Sequence, residues 1–211
     1  MKVNEVKLQY LKLISMEEFS KFGRIVGRDE EKIKEKFNLH PVTPLASPEI
    51  DVKLKAYGHI FPFKDTGERF SLGFLFMKHK PEGTIFDWTE CHHEAYEIFF
   101  PLAGKELIFL MAPKGPIPDP KKTRAFLCGP DEGIIIDKGT WHYPPFAPSG
   151  VTPTLMLRYG HLAEVTGMET EAFGEKYDTS SKIYNKNGAL QALNSEYYGK
   201  GFEGEYNIKL I

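Results

Sequence analysis

Several features that mark other classes of protein are scarce or absent in this chain. No apolar run among its 211 residues approaches the roughly 20 residues of a membrane-spanning helix. The amino terminus, MKVNEVKLQYLKLI, alternates polar and apolar residues instead of forming the apolar core of a signal peptide. The formal net charge is only −2, so no basic surface for nucleic acid is indicated. We therefore expect a globular protein whose partners include neither a membrane nor nucleic acid.

Cysteine is also scarce, because the chain contains only Cys91 and Cys128. With no secretory signal in view, both are predicted to be reduced thiols of a cytoplasmic protein. Cys128 follows an apolar strand, a position typical of a small buried residue.

Short, aromatic-rich strands dominate the middle of the chain. DVKLKAY alternates strictly, and FSLGFLFMKH places Phe70, Leu72, Phe74 and Phe76 on one face. Further strands are predicted in GTIFDW, AYEIFFPLAG, KELIFLMAP, TRAFLC, GIII and TPTLMLRYG. About eight strands separated by turns, with little helix between them, indicate an antiparallel sandwich or barrel.

The segments that flank this barrel core are less regular. In LKLISMEEFSKFGRIVG, Leu11 and Leu13 are predicted to form a strand, and Ser15 with Glu18 a capping box. Gly23 suits the left-handed residue that follows a short helix. We predict an N-terminal region over residues 1–50, a barrel core over 51–160 and a C-terminal extension over 161–211 that packs on the same domain.

Three shorter segments complete the prediction of secondary structure. DEEKIKEKFN, from Asp29, has early acids and later lysines, as a short helix prefers. GALQALNSEYYGK is predicted to be a short helix or an ordered loop. EYNIKLI is predicted to close the fold as a last strand.

Histidine is sparse, with seven residues, yet two of them are adjacent in TECHHEAYEIFFPLAG. Alternate residues of a barrel strand point into the interior. By this alternation Cys91, His93 and Glu97 share one face, which we predict to be the inner one. Glu90, His92 and Glu94 then share the other face. A one-residue bulge would exchange the two faces.

A third histidine follows a buried strand in GIIIDKGTWHYPPFA. The turn over residues 137–139 is predicted to free His142 from the strand. Pro144 and Pro145 are predicted to prevent an ordinary strand and to stiffen the exit. Trp141 and Tyr143, on either side, are typical packing residues.

Together these residues suggest a metal site. His93, Glu97 and His142, with Cys91 or a second imidazole, are ligands suited to Zn²⁺, Fe²⁺, Mn²⁺ or Ni²⁺. An incomplete set of ligands would leave room for an oxygenated substrate. The plainer alternative is that the histidines are ordinary polar residues at a strand end and that Glu97 lies at the surface.

One arginine lies in an otherwise apolar strand, TRAFLC. Burying the guanidinium of Arg124 is costly unless it is paired or binds an anion with two hydrogen bonds. The alternative is a surface arginine on the outward face. Lys105 and Lys138 are predicted to be solvated turn residues.

The stretches CHHEAYEIFFPLAG and GIIIDKGTWH resemble the two conserved motifs of the cupin superfamily. Glu97 stands four positions after His93 and seven before Gly104, the spacing of the first motif. Cys91 stands where the first histidine of His-x-His is expected. DKGTWH is similar to Pro-x-Gly-x-x-His, with Asp137 in place of proline.

Within the cupins, LKLISMEEFSKFGRIV, TRAFLC and GTWHYPPFA resemble the ureidoglycolate lyase family. His92 aligns with a histidine of that family, whereas Glu97 stands in place of a glutamine and Tyr143 in place of a second histidine. Lys78 stands where an arginine is expected. The resemblance covers about two-thirds of the chain.

The resemblance implies an all-β fold, a cupin double-stranded β-helix barrel with short peripheral helices, and a homodimer. The implied reaction is the release of urea and glyoxylate from ureidoglycolate, a step of purine and allantoin breakdown, on a small anionic substrate. The residues implied in catalysis are His92, Glu97, His142 and Arg124. Those implied in substrate binding are Arg124, Lys78, Tyr143 and Arg158, and those implied in metal binding are His93, Glu97, His142 and Cys91.

Two other functions are consistent with the same residues. An intact set of His93, Glu97 and His142 favours a metal-dependent isomerase or dioxygenase acting on a sugar or keto acid. The third function is a non-catalytic cupin that binds a small molecule.

Overall fold

The computed structural model describes residues 3–27, 40–42, 56–58, 69–92, 95–160, 182–185, 190–192 and 206–211. The chain divides into two compact units, Met1–Val26 with Glu68–Ile211, and Gly27–Gly67. In the second unit, strands β4 (His40–Val42) and β5 (Ala56–Gly58) pair antiparallel. The helix expected from Asp29 lies outside the described residues, and the predicted boundaries at residues 50 and 160 stay predictions.

The described residues of the larger unit form three sheets. Its strands are β1 (Asn4–Val6), β2 (Leu8–Tyr10), β3 (Gly23–Gly27), β6 (Arg69–Lys78), β7 (Ile85–Phe86), β8 (Trp88–Cys91), β9 (Ala95–Pro101), β10 (Leu107–Ala112), β11 (Arg124–Cys128), β12 (Glu132–Ile136), β13 (Trp141–Phe146), β14 (Val151–Gly160), β15 (Lys182–Asn185), β16 (Leu190–Ala192) and β17 (Ile208–Leu210). A seven-stranded sheet has the order β16-β15-β8-β13-β10-β11-β2, and a five-stranded sheet the order β3-β12-β9-β14-β6. A small third sheet has the order β1-β17-β7.

Strand β10 shows how the layers pack. Its residues alternate between two hydrophobic clusters, with Phe109 and Met111 in one and Ile108 and Leu110 in the other. All of its side chains are buried, as expected of a central strand that is covered on both faces. The sequence LIFLMA is apolar throughout for this reason.

The cluster that contains Phe109 and Met111, which we call the inner core, lies between the seven-stranded and five-stranded sheets. It joins Phe109 and Phe126 of the former to Phe99 and Ile134 of the latter. The second cluster, the outer core, lies between the seven-stranded sheet and the small sheet, where it includes Ile208. Two sheets facing each other across one core confirm the predicted all-β barrel architecture.

Helix is limited to two short pieces in the described part of the chain. Leu11–Leu13, predicted as strand, forms a 3₁₀ turn, and the only α-helix there, α1, spans Met16–Phe19. One of the two hydrogen bonds of the predicted capping box is shown, since the Glu18 N–H donates to Ser15 Oγ at 3.0 Å. Neither piece is long enough to cross a lipid bilayer.

Gly23 does not have the left-handed conformation predicted for it. Gly23 begins β3 and is not among the glycines with positive φ. A Cβ at this position would lie 1.9 Å from the carbonyl oxygen of Ile135 on the neighbouring strand β12. Glycine is required here because two backbones approach closely, and not because a helix ends.

The prolines after His142 prevent an ordinary strand, as predicted, but they do not end the strand. Pro144 and Pro145 lie within β13, between Tyr143, which pairs with Leu110, and Phe146, which pairs with Ile108. The strand β13 therefore advances three residues where β10 advances two, and this is a β-bulge. A bulge tolerates proline because the ladder hydrogen bonds are already interrupted there.

The C-terminal part of the chain contributes strands to the barrel. β15 pairs antiparallel with β8 and with β16. Leu190–Ala192, in a segment expected to be a helix or loop, is therefore strand. The predicted last strand is confirmed as β17, which pairs with β1 and β7.

Replacing Gly23 with Ala tests the close approach of β3 to β12. We expect Gly23→Ala to lower the free energy of unfolding by about 3 kcal/mol, because backbone atoms must move to admit the methyl group. Gly73→Ala is the matched control, since a Cβ there would meet nothing closer than the Met156 methyl at 3.5 Å. Urea denaturation measures both, and equal stability of the two variants would contradict the explanation.

Candidate functional site

Two cross-strand pairs, one from each large sheet, meet at one end of the barrel. In the seven-stranded sheet His142 of β13 pairs with Glu90 of β8. In the five-stranded sheet Arg158 of β14 pairs with Glu97 of β9. Directly paired residues place their side chains on the same face. The two pairs therefore point toward each other between the sheets.

Glu97 is the centre of the resulting cluster. Its Oε2 lies 2.9 Å from Nε2 of His142, and its Oε1 lies 3.4 Å from Nε2 of His92. Arg158 donates from Nε to the same Oε1 at 2.5 Å. The carboxylate is only 2% exposed, so these contacts replace water around a buried charge.

The ionisation of Glu97 is decided by its neighbours. Burial raises the pKa of the carboxyl, but the positive charges of Arg158 and His92 and the hydrogen bonds from the two imidazoles lower it. The attractive contacts outweigh burial, and the pKa of Glu97 lies well below its usual value. Glu97 is therefore a carboxylate at neutral pH.

His142 is completely buried, and both of its ring nitrogens face acceptors. Nδ1 lies 3.0 Å from the Thr140 carbonyl oxygen, to which an Nδ1–H would donate. Nε2 faces Glu97 and lies 3.8 Å from Oε1 of Glu90. Burial lowers the pKa of His142, whereas the hydrogen bond and charge of Glu97 and the charge of Glu90 raise it, and the net pKa is above its usual value.

The turn before His142 connects the site to the rest of the fold. The Gly139 N–H donates to the His92 carbonyl oxygen at 2.7 Å, which joins the two sequence motifs directly. Thr140 Oγ1 donates to the Phe22 carbonyl oxygen at 2.9 Å. Asp137, which replaces the family's proline, lies 3.1 Å from the Arg24 guanidinium. These contacts fix the backbone on which His92 and His142 are held.

Three side chains are arranged as ligands for a cation. One ligand atom from each of Glu90, His92 and His142 lies within 4.8 Å of the others. Two imidazoles and a carboxylate suit Zn²⁺, Fe²⁺, Mn²⁺ or Ni²⁺. The donor chemistry and spacing of this triad fit such an ion.

The structure brings together some of the predicted site residues and separates others. His92, Glu97 and His142 converge, whereas Cys91 is buried in the outer core with Trp141. Cys91 therefore does not join the proposed ligands. His93 lies outside the described residues, and its role stays a prediction.

The alternation predicted across residues 90–97 is wrong for a physical reason. β8 ends at Cys91 in the seven-stranded sheet, and β9 begins at Ala95 in the five-stranded sheet. The chain changes sheets between them, so the period of two does not continue. The face with Glu90 and His92 therefore points inward together with Glu97.

Two predicted substrate-binding residues lie elsewhere. Tyr143 belongs to the outer core, where its ring lies 5.0 Å from that of Phe86. Lys78 is exposed and pairs with Val151, seven residues along β14 from Arg158. At about 3.4 Å per residue that is more than 20 Å from the cluster. Neither residue reaches the site.

The two predicted arginines have different positions. Arg158 is part of the cluster through Glu97. Arg124 is exposed at the start of β11 and pairs with Met111, which in turn pairs with His142. Arg124 therefore lies two strands from His142 in the same row, on the same face of the sheet.

Alternation put both Glu90 and His92 on the outer face, and Glu90 was not among the predicted site residues. The alignment of His92 with a family histidine was the signal that could have found it. If His92 points inward, Glu90, two positions earlier in the chain, does so as well.

Comparison with known proteins gives a family match. A family model for ureidoglycolate lyase matches residues 6–177. The ureidoglycolate lyase of Azotobacter vinelandii is 34% identical over 58 residues, 28% of this chain and 35% of that protein. The same enzyme of Pseudomonas aeruginosa is 36% identical over 55 residues, 26% of this chain and 32% of that protein. The chain thus aligns with about a third of the length of these curated relatives.

Among solved structures, one match is RmlC from Streptococcus suis in complex with dTDP-D-xylose. It covers 44% of each chain at 8% sequence identity with a TM-score of 0.32.

The ion pair at the centre of the cluster is tested by a double-mutant cycle. Arg158→Met leaves the Glu97 carboxylate buried without its closest cation, and we expect a loss of about 3 kcal/mol in unfolding free energy. In the double variant Arg158→Met/Glu97→Leu no charge is left unpaired, so its loss should be about 2 kcal/mol smaller than the sum of the single losses. Urea denaturation in the presence of EDTA gives the three values. Additive losses would show that the pair is not coupled.

Proposed function

Because this chain belongs to the ureidoglycolate lyase family of the cupin superfamily, we propose that it is a C–N lyase that cleaves ureidoglycolate to urea and glyoxylate. One observation supports the proposal most directly. At one end of the barrel, the carboxylates of Glu90 and Glu97 both lie within 4 Å of Nε2 of His142. All three groups are able to exchange protons. The reaction requires such groups side by side.

The chemistry of the reaction defines the groups that it needs. The hydroxyl proton of the substrate is removed, a carbonyl forms at the same carbon, and the C–N bond to the ureido group breaks. The departing nitrogen takes up a proton to complete urea. One base, one acid and a cation for the carboxylate are therefore sufficient.

We assign these two proton transfers to Glu90 and His142. Glu90 is 13% exposed, more than Glu97, so its carboxylate is the one that a substrate can approach. We assign to it the removal of the hydroxyl proton. His142 Nε2 is assigned to deliver a proton to the departing nitrogen. Glu97, held by Arg158, orients His142 and balances its charge.

The substrate carboxylate is assigned to Arg124. Residues two strands apart in one row have Cα atoms about 10 Å apart, so the Arg124 side chain can extend toward a substrate that also reaches His142. Arg124 also lines a surface concavity of about 660 Å³ with Lys7, Lys121 and one acidic residue, Glu5. Neither Glu90 nor His142 lines this concavity. Its three cations outnumber the single carboxylate, which favours the approach of a small anion.

A second candidate is a metal-dependent cupin enzyme, favoured by the triad of Glu90, His92 and His142. A bound divalent ion would supply Lewis-acid stabilisation of a substrate oxygen. The two candidates make opposite demands on His142. Nε2 carries a proton when it acts as an acid and offers a lone pair when it is a ligand.

The lyase proposal predicts urea and glyoxylate in equal amounts when the protein is incubated with ureidoglycolate. Arg124→Lys should raise KM about tenfold with little change in kcat, because a two-point contact with the carboxylate is lost. Lys78→Gln, at the far end of β14, is the control and should leave KM unchanged. Absence of both products would reject the lyase, and an unchanged KM in Arg124→Lys would remove this residue from the site.

The metal-dependent candidate is tested by elemental analysis after loading with Zn²⁺, Mn²⁺, Fe²⁺ or Ni²⁺ and dialysis. We expect about one bound ion per chain in the wild type and in Arg124→Lys, and at least a tenfold loss of affinity in His142→Ala. An ion retained by His142→Ala would mean that it binds elsewhere. Lyase activity that persists after the ion is removed by chelation would reject a metal-dependent reaction.

A further inference from the structure

The concavity at the start of strand β11 is lined by three cations whose charges are not taken up by ion pairs. It has a volume of about 660 Å³, and Lys7, Lys121 and Arg124 line it. All three side chains are exposed. In the described part of the chain, none of the three forms an ion pair with a carboxylate. Their charges are therefore available to a ligand.

The fold holds these cations close together. Lys7 and Arg124 come directly before the first pair of the parallel ladder between β2 and β11, so their Cα atoms lie about one strand spacing, roughly 5 Å, apart. The Lys121 N–H donates to Asp119 Oδ1 at 2.9 Å, which fixes the turn that carries Lys121. Like charges at such distances repel each other, and a bound anion relieves the repulsion.

The acidic residues nearby do not cancel this charge. Among the described residues that line the concavity, Glu5 is the only acid, and it forms no ion pair with the cations. Asp119 lies just outside and is paired with Lys122, whose Nζ is 3.2 Å from Oδ2. Three cations and one carboxylate leave the concavity with a formal charge of +2.

The proposed substrate does not account for this much charge and space. Ureidoglycolate has one carboxylate, which a single guanidinium can bind with two hydrogen bonds. A ligand held within the concavity would not contact the proton-transfer groups, because neither Glu90 nor His142 lines it. Its volume lies within the range of roughly 300–1,000 Å³ that is typical of small-molecule sites.

We propose that the concavity binds a small polyanion, which carries two or three negative charges on carboxylate or phosphate groups, at a site separate from the cluster around Glu97. The three cations bind its charged groups through charge-assisted hydrogen bonds. Asn4 and Gln9, whose amide side chains can donate further hydrogen bonds, also line the concavity.

Arg124 connects this site to the reaction, and this consequence rests on the proposed function. The same guanidinium is assigned to the substrate carboxylate. A bound polyanion engages it and withdraws it from the substrate. The polyanion therefore acts as a competitive inhibitor, which raises KM for ureidoglycolate and leaves kcat unchanged.

Isothermal titration calorimetry on the full chain tests the site with citrate, inorganic pyrophosphate and acetate. The protein is first dialysed against EDTA, so that no metal ion at His92 and His142 binds the probe. We expect one polyanion per chain with a Kd of about 100 μM at low salt, and at least a hundredfold weaker binding of acetate. Tighter binding of pyrophosphate would identify a phosphate ligand, and tighter binding of citrate a polycarboxylate.

Variants of the lining residues show whether the polyanion binds in the concavity. Lys7→Gln/Lys121→Gln should weaken binding at least tenfold. The matched control, Lys78→Gln/Lys105→Gln, removes the same charge from two exposed positions outside the concavity and should bind as the wild type does. Glu5→Gln should bind about threefold more tightly, because the only lining carboxylate is neutralised. A gain of affinity cannot result from misfolding.

Three results of the calorimetry would overturn the site. These are the absence of polyanion binding to the wild type, equal losses in the two double variants, and loss of binding in Glu90→Gln, which would place the anion at the Glu97 cluster. Inhibition is measured separately, as the KM of ureidoglycolate cleavage with and without citrate. Citrate that binds without raising KM would reject the sharing of Arg124. The calorimetry requires no substrate, so it decides the site even if ureidoglycolate is not cleaved.

Discussion

The burial of the Glu97 carboxylate is the constraint on which the site depends. A charge that is 2% exposed is stable only when cations and hydrogen-bond donors replace its water. Arg158, on the adjacent strand, provides the cation. His142, in the opposite sheet, provides a hydrogen-bond donor. The contact between the two sheets at this end of the barrel is therefore polar, whereas the inner core beside it is apolar.

The same contact requires a fixed backbone behind it. The Phe22 carbonyl accepts hydrogen bonds from the Asp137 N–H and from Thr140 Oγ1, and the adjacent Gly23 lets β3 lie against β12. The N-terminal segment thus supports the turn that carries His142. Residues distant in sequence from both motifs contribute in this way to the geometry of the site.

Much of the fold could be predicted, because short apolar strands separated by turns are typical of an antiparallel barrel. The motif spacing correctly indicated that Glu97 and His142 meet. Alternation did not identify the buried face of β6, since its apolar row of Leu72, Phe74 and Phe76 is exposed in the described part of the chain. Two further features could not be predicted by alternation. The chain changes sheets between β8 and β9, which turned His92 and Glu90 inward, and the bulge in β13 allowed prolines to remain within a strand. Both are decided by tertiary packing, since no local pattern specifies where pairing is interrupted.

The bulge in β13 also sets the faces of the strand on which His142 and Phe146 lie. Phe146 is anchored in the outer core and His142 in the inner layer, and the extra residue between them lets both occupy their preferred sides. The segment works as a spacer of defined length. Removing one proline would straighten the ladder but force one anchor to turn over, so the chain can vary the identity of these residues more readily than their number.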